Sequence, residues 1–347
     1  MEEEKYMRRC IKLARNGLCH VSPNPMVGAV IVCDGQIIGE GYHVRCGEAH
    51  AEVNAIRSVK HPALLKRSTI YVSLEPCSHH GKTPPCADLI IEKEIPRIVI
   101  GCQDPFAKVA GRGIQKLRDA GREVTVGVLE NECRELIRRF ITFHTFQRPY
   151  ITLKWAESAD GFIDKSRTEG APVLLSTPLT SMLVHKRRAE SDAILVGTRT
   201  ALLDDPSLSV RNWYGRNPVR VVLDRNRSLP ASLRLFDDST RTLVFTAGEY
   251  PGGNQTEYIP LDYQADILPQ VMAALYNRGI QSLLVEGGSK LLQSFIRAGL
   301  WDEAFVERCA AVLDSGVKAP EIGDKYDSIE KYFGVTVEHH ISPKQGL

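Results

Sequence analysis

Four residues near the start of the chain have types and spacing that could serve one reaction: His50 and Glu52 in "EAHAEVNAI", and Cys77 and Cys86 in "EPCSHHGKTPPCADLI". One imidazole and two thiolates are nitrogen and sulphur donors of the kind that hold Zn2+. Three protein ligands leave a fourth position open for water, as in catalytic zinc sites. An ion held this way stays near neutral overall and brings the ionisation of that water toward pH 7. Glu52 would then move protons beside the metal without binding it. An H-x-E alone is a weak signal and a P-C weaker; the combination, with each Pro-Cys after a strand or before a helix, is strong. The alternatives are a structural zinc site, which normally has a fourth protein ligand and no need for Glu52, or three unrelated buried residues.

The surrounding pattern supplies elements to position these groups. Residues 4–16 have helical apolar spacing, and "VGAVIVCDGQIIGEGYH" reads as two strands joined at Asp34-Gly35. A helix from about Ala49 to Val59 puts His50 and Glu52 in its first turn. The strand "TIYVSLE" leads to Cys77, and Cys86 opens the helix "CADLIIEK", where a helix N-terminus favours thiolate. The strand "RIVIGC", the helix "GIQKLRDAG", the strand "EVTVGV" and a helix from about Asn131 to His144 complete an α/β set. "TFQRPY" reads as a junction, so the expected domains are 1–145 and 146–347. Beyond it the pattern restarts with "YITLKWA", a helix around Thr177–Ala189, strands "AILVG", "VRVVLD" and "TLVFTA", a helix near 266–278, the strand "SLLVEGG" and the helix "SKLLQSFIRAG". "WDEAFVERCAAVL" reads as a last strand region, and "AGEYPGGNQTEYIP" as a surface loop.

At 347 residues, with 43% apolar and 25% charged residues, the chain has room for two ordinary globular cores. A net charge of +2, with no interleaved basic and aromatic stripe, argues against a nucleic-acid partner. "MEEEKYMRRC" lacks the apolar core of a secretory signal, and no apolar run approaches bilayer length, so a cytoplasmic protein with no membrane partner is expected. In that compartment the 9 cysteines favour metal binding, catalysis or burial over disulfides, and only Cys309 lies beyond residue 133.

The combination "SPNPMVGAVIV", "HAEVNAI", "EPCSHHGKTPPC" and "DPFAKVAGRGI" resembles the deaminase half of the bifunctional deaminase/reductase family of riboflavin biosynthesis. Base deaminases usually separate their two cysteines by two residues, whereas eight intervene here; in this family the longer spacer is the usual form. The resemblance implies an α/β, cytidine-deaminase-like three-layer domain. The implied substrate is a diamino ribosylamino-pyrimidinone 5′-phosphate, whose ring 2-amino group is replaced by oxygen. His50, Cys77 and Cys86 would ligate the metal, and Glu52 would shuttle protons. Asn24 would hold the substrate, or simply form the turn between two prolines. His43 could donate to the pyrimidine or cap a loop. Lys82, with His79 and His80, offers positive charge to a phosphate, or belongs to a solvated loop. Asp104 follows a strand end, where ligands gather in open α/β sheets, although a turn also explains it.

The second half resembles the family's reductase, which has a dihydrofolate-reductase-like fold and uses NADPH. The resemblance rests on "ITLKWAESADG", "SDAILVGTRTALLDDPSLSVR" and "LLVEGGSKLLQSF". It implies NADPH contacts at Ala156, Thr200, Asp204 and from Gly288, and substrate contacts at Arg188, Leu208, Arg211 and Glu286. The hydride would pass to C1′ of the ring-opened ribose. An acidic group or water near Lys154 or Glu286 would protonate the imine. Lys154, on an apolar strand, needs a partner if buried, and Asp204 is the expected one. Independently of the resemblance, "VEGGSK" brings backbone amides to a helix start suited to an anion, while the absence of a G-x-G-x-x-G after a strand disfavours a Rossmann dehydrogenase. Two departures bear on cofactor use: Pro172 and Leu174 stand where the family often has serine and tryptophan, and the tail lacks an A-P-x-x-x-G pattern. From the family alone, a homo-oligomer is expected.

Overall fold

Successive residues of "GAVIVC" point to opposite faces of a strand. Both faces are apolar here, so the strand must be covered twice. The structure, a computed structural model describing residues 2–78, 84–105, 110–323, 325–332 and 334–343, covers it with helices on both sides. The chain divides into two units, Met1–Gln147 and Arg148–Leu347, so the break falls within "TFQRPY".

The first unit runs α1 (Glu2–Ala14), β1 (Gly28–Cys33), β2 (Gln36–Tyr42), α2 (Ala51–Ser58), β3 (Thr69–Leu74), α3 (Cys86–Glu92), β4 (Arg97–Cys102), α4 (Arg112–Asp119), β5 (Glu123–Val126), α5 (Glu130–Leu136) and α6 (Arg138–Phe146). Its sheet has the order β2-β1-β3-β4-β5. Val30, Val32, Tyr71 and Val99 pack with Tyr6, Met7 and Cys10 of α1 and Cys133 and Leu136 of α5. On the other face, Ala29, Ile31, Ile70 and Ile98 meet Ala55 of α2, Ile90 of α3 and Leu117 of α4. This is the expected cytidine-deaminase-like three-layer arrangement. β1 and β2 form the hairpin signalled by Asp34-Gly35, both left-handed (φ 50 and 74) as its tight turn requires. The helix expected over Asn131–His144 instead breaks at Ile137 (φ −109, ψ 21), which no glycine or proline marks. α2 sits unusually close to β2: a Cβ at Gly41 would lie 2.3 Å from the Ala55 nitrogen and 2.6 Å from the Ala51 carbonyl oxygen. "GEG" in the strand is therefore the seat of the helix that carries Glu52.

The second unit comprises β6 (Tyr150–Glu157), β7 (Phe162–Asp164), α7 (Pro178–Glu190), β8 (Ala193–Gly197), α8 (Thr198–Asp204), β9 (Val219–Leu223), β10 (Thr242–Thr246), β11 (Thr256–Pro260), α9 (Ile267–Tyr276), β12 (Ser282–Gly287), α10 (Ser289–Ala298), β13 (Glu303–Arg308), β14 (Val317–Lys318), β15 (Ser328–Tyr332) and β16 (Val335–Ile341). Its main sheet has the order β11-β10-β9-β8-β12-β6-β13-β16-β15, with β14 and β7 paired separately. One face carries a core built on Leu153, Leu195, Phe245, Leu283 and Phe295, and the other a smaller core on Ile194, Val222 and Leu235. The fold is the expected dihydrofolate-reductase-like one. Two readings of the sequence are corrected. "TEYIP", taken as loop, is the edge strand β11, whose half-buried polar residues hide its periodicity. The chain also continues past β13 into β14, β15 and β16; "SIEKY" is almost wholly exposed, and β16 buries Glu338 and His340 where an apolar pattern was sought. Among the described residues, no helix is long and apolar enough to cross a membrane.

Candidate functional site

His50 is the residue that caps α2, with extended backbone (φ −70, ψ 166), and Cys86 is the first residue of α3. His50 Nδ1 lies 3.7 Å from Cys77 Sγ and 3.4 Å from Cys86 Sγ, and the three candidate ligand atoms are all within 4.8 Å of one another. Tetrahedral zinc, with bonds of about 2.3 Å to sulphur and about 2.0 Å to nitrogen, separates such atoms by about 3.5 Å, so the cluster fits the ion. The Cys86 amide also donates to Cys77 Sγ at 3.3 Å. With only protons present, the hydrogen bond from Cys86 pulls the Cys77 thiol down to about 4, and Cys86 is pushed up because it supplies that proton. A divalent cation displaces the proton and stabilises both thiolates.

Glu52, in the first turn of α2, is 3% exposed. Burial, then the charge of neighbouring Cys77, pushes its carboxyl up to about 7. A carboxyl that titrates there can both take and give a proton near neutral pH.

His43 stands edge-on to His50, with ring centroids 5.4 Å apart. The Ala49 carbonyl can only accept, so His43 Nδ1 donates to it at 3.1 Å, and Nε2 accepts from the Asn24 amide at 3.0 Å. Burial pushes this imidazole down, consistent with that neutral tautomer. Both ring nitrogens are engaged, in keeping with the loop-capping alternative for His43, and the imidazole orients Asn24. Two further residues escaped the sequence reading. Asn54 donates to the carbonyls of Tyr42 and Ala49 at 2.9 and 3.3 Å, tying the end of β2 to the start of α2. Buried Glu75 accepts from the amides of Asp104, Gly111, Gly113 and Ile114 at 2.9–3.2 Å, tying Asp104 and the start of α4 to the residue two before Cys77. An acid directly before Pro-Cys was the available signal. Lys82, His79 and His80 lie outside the described residues.

The second unit holds a cavity of about 1030 Å³ whose lining includes Lys154, Ala156, Thr200, Asp204, Glu286 and Gly288. α10 starts at Gly288 without a side-chain cap, and a Cβ there would lie 3.0 Å from Thr200 Oγ1. No side chain caps this helix start, which suits an anion, and Lys165, Arg199 and Lys290 add positive charge to the same wall. Size, apolar patches such as Ile163 and Leu291, and this charge suit a dinucleotide. Pro172 and Leu174 both line the cavity, and Leu174 is 85% exposed.

One expectation is corrected here, that Asp204 is the partner of Lys154. Asp204 pairs with Arg167, which also binds Asp164 at 2.6 Å. The partner of Lys154 is instead Glu307, with Nζ 3.7 Å from Oε2, because β13 lies beside β6. Arg188 forms a two-point pair with Glu286 at 2.9 and 2.6 Å, so its fork is matched within the protein. Burial works to raise Glu286, but Arg188 outweighs it and the carboxyl lies below its ordinary value. Leu208 is 2% exposed and packs in the smaller core, away from the cavity lining. Arg211 is exposed, also outside that lining, and bonds Ser207 and Ser209.

Residues 1–102 match the cytidine and deoxycytidylate deaminase zinc-binding region, and residues 149–308 match the RibD C-terminal domain. The riboflavin biosynthesis protein RibD of Bacillus amyloliquefaciens is 39% identical over 340 residues, covering 94% of this chain and 90% of its own. That of Aquifex aeolicus is 37% identical over 326 residues, covering 92% and 90%. A solved diaminohydroxyphosphoribosylaminopyrimidine deaminase/5-amino-6-(5-phosphoribosylamino)uracil reductase from Thermotoga maritima gives a TM-score of 0.89 at 39% identity, covering 98% of this chain and 99% of that one. With the metal-binding cluster in one unit, the cavity in the other and similarity running through both, the chain belongs to the RibD family of riboflavin biosynthesis proteins, enzymes that join a deaminase to a reductase.

Proposed function

We propose that the first unit hydrolytically removes the ring 2-amino group of 2,5-diamino-6-(5-phosphoribosylamino)pyrimidin-4(3H)-one. The second unit then uses NADPH to reduce the ribosyl group of that product to a ribityl chain. The observation that carries this reading is the convergence of His50, Cys77 and Cys86 beside buried Glu52. Zinc held by those three residues supplies a Lewis acid and lowers the pKa of water. Glu52 takes the proton of the attacking water and returns it to the departing amine, so that water enters and ammonia leaves. Asn24, oriented by His43, holds the pyrimidine edge, Asp104 is presented by the segment that Glu75 fixes, and Lys82 meets the phosphate.

In the second unit NADPH supplies the hydride. Ala156, Thr200, the Asp204–Arg167 pair and the start of α10 at Gly288 bind and orient it. Glu286 is held ionised by Arg188 and is a poor proton donor, which supports Lys154 as the group that protonates the imine. Arg211 meets the substrate from the loop after α8. Family membership further supports a cytoplasmic homo-oligomer, which light scattering tests.

A second reading, in which the second unit binds ligand without reducing it, draws on Pro172 and Leu174 in the cavity wall. Zinc-loaded protein incubated with the substrate, with and without NADPH, separates the two when ammonia and nicotinamide absorbance are followed together. Ammonia in both reactions, with NADPH consumed only after deamination, is expected. Ammonia without NADPH loss supports the second reading, and no ammonia at all overturns the proposal.

A further inference from the structure

Glu307 lies on β13 in register with Ala156, is 2% exposed, and is not part of the cavity lining. A buried carboxylate is costly unless partnered, and this one has three partners. Thr180 Oγ1 donates to Oε1 at 2.5 Å, Ser176 Oγ donates to Oε2 at 2.8 Å, and Lys154 Nζ stands 3.7 Å from Oε2. The three come from different parts of the site. Lys154 lines the cavity, Ser176 ends the wall segment that holds Pro172 and Leu174, and Thr180 closes the capping box that starts α7, the helix carrying Arg188.

We infer that Glu307 is a positioning residue for the reduction: from behind the cavity wall it aims and counter-charges Lys154 and seats the segment 172–176 over the same space. The inference rests on the reductase reading above and assigns Glu307 no contact with substrate or cofactor. The charged groups facing Lys154 are Glu307 from β13, Glu286 from β12, and Arg187 and Arg188 from α7. Burial pushes the ammonium below its ordinary value, and the two carboxylates oppose that shift, Glu307 foremost. Glu286 already answers the Arg188 guanidinium, whereas Ser176 and Thr180 meet Glu307 with hydroxyls. Its charge is therefore directed at Lys154. Removing it lowers the Lys154 pKa further, and a reaction that needs the ammonium then fails at lower pH.

The test uses the full chain with 13C-labelled lysine, following the Lys154 signal by NMR titration, with Lys154→Arg to assign it. In Glu307→Gln the midpoint is expected to fall by about 1 pH unit, the scale for losing an opposite charge at this range. The basic limb of kcat/KM for NADPH oxidation should move with it. If Glu307→Gln does not fold, Glu307→Asp, which withdraws the charge by one methylene, is expected to lower the midpoint by a smaller step. An unmoved midpoint in a folded variant overturns the inference, because a carboxylate that only ties Ser176 and Thr180 leaves Lys154 titrating as before. The titration needs no turnover: a shifted midpoint in a protein that never oxidises NADPH sustains the inference about Glu307 while the reductase reading falls.

Discussion

The two units solve the problem of a buried charge in opposite ways. In the first, two sulphurs and an imidazole converge within 4.8 Å of one another, a set of ligand atoms that a metal ion would complete. In the second, the more deeply set charges on and behind the cavity wall are paired within the protein: Arg188 with Glu286, Lys154 with Glu307, Arg167 with Asp204. The first unit depends on something added to it, and the second on its pairs staying intact. The difference teaches where each is vulnerable, because a site made by an ion fails when the ion leaves, whereas a site made by pairs fails when one partner is removed.

Removing the metal is therefore the strongest test of the contrast. Dialysis against a chelator is expected to abolish ammonia release, with zinc restoring it, while NADPH oxidation on separately supplied deaminated intermediate continues. Equal loss of both activities would break the comparison. Glu52→Gln should act next most strongly, lowering deamination by about 10²–10⁴-fold, the range for a lost general acid and base, while zinc content measured by atomic absorption stays stoichiometric. A zinc-depleted Glu52→Gln protein would place the carboxylate on the metal rather than beside it.

The second unit should answer to a different change. Arg188→Met leaves the Glu286 carboxylate, 11% exposed, without its guanidinium. Breaking such a pair costs about 3–5 kcal/mol, so the unfolding transition of this unit should fall sharply while ammonia release is retained. Adding Glu286→Leu to Arg188→Met should recover most of that stability without recovering reduction. If the single variant unfolds as wild type does, the pair is an ornament of the cavity and the contrast weakens.

The same difference explains what could be read from the sequence. A metal cluster is declared by residue types: His50, Cys77 and Cys86 are ligands or little else, and their places at helix starts follow from local pattern. Both α/β layers were legible for a similar reason, since the apolar run of "GAVIVC" and the Asp34-Gly35 turn are local signals. A charge pair is declared only by which strand lies beside which. Lys154 visibly needed a partner, but choosing Glu307 over Asp204 required knowing that β13 pairs with β6. The sequence offers Arg188 only as a substrate contact because its match with Glu286 spans 98 positions. Polar edge strands β11 and β15 were missed because half-exposed strands carry little apolar periodicity.

The smallest expected effect tests whether the first unit also depends on packing. At Gly41 an added Cβ would meet the Ala55 nitrogen at 2.3 Å and the Ala51 carbonyl oxygen at 2.6 Å. Both are backbone atoms of α2, so no side chain can swing aside, and the helix must move as a body or the strand must bend. Overpacking of this kind costs about 1–3 kcal/mol. His50 caps that helix and Glu52 stands in its first turn, so a displaced α2 carries one ligand and the proton shuttle away from Cys77 and Cys86 together. Gly41→Ala is therefore expected to weaken zinc retention in a chelator competition and to lower deamination, with added zinc recovering part of the rate but not all of it, because the ion can refill the cluster without restoring the position of Glu52. Full recovery at saturating zinc would mean that the metal alone sets the geometry, and that the close seat of α2 on β2 serves stability rather than catalysis.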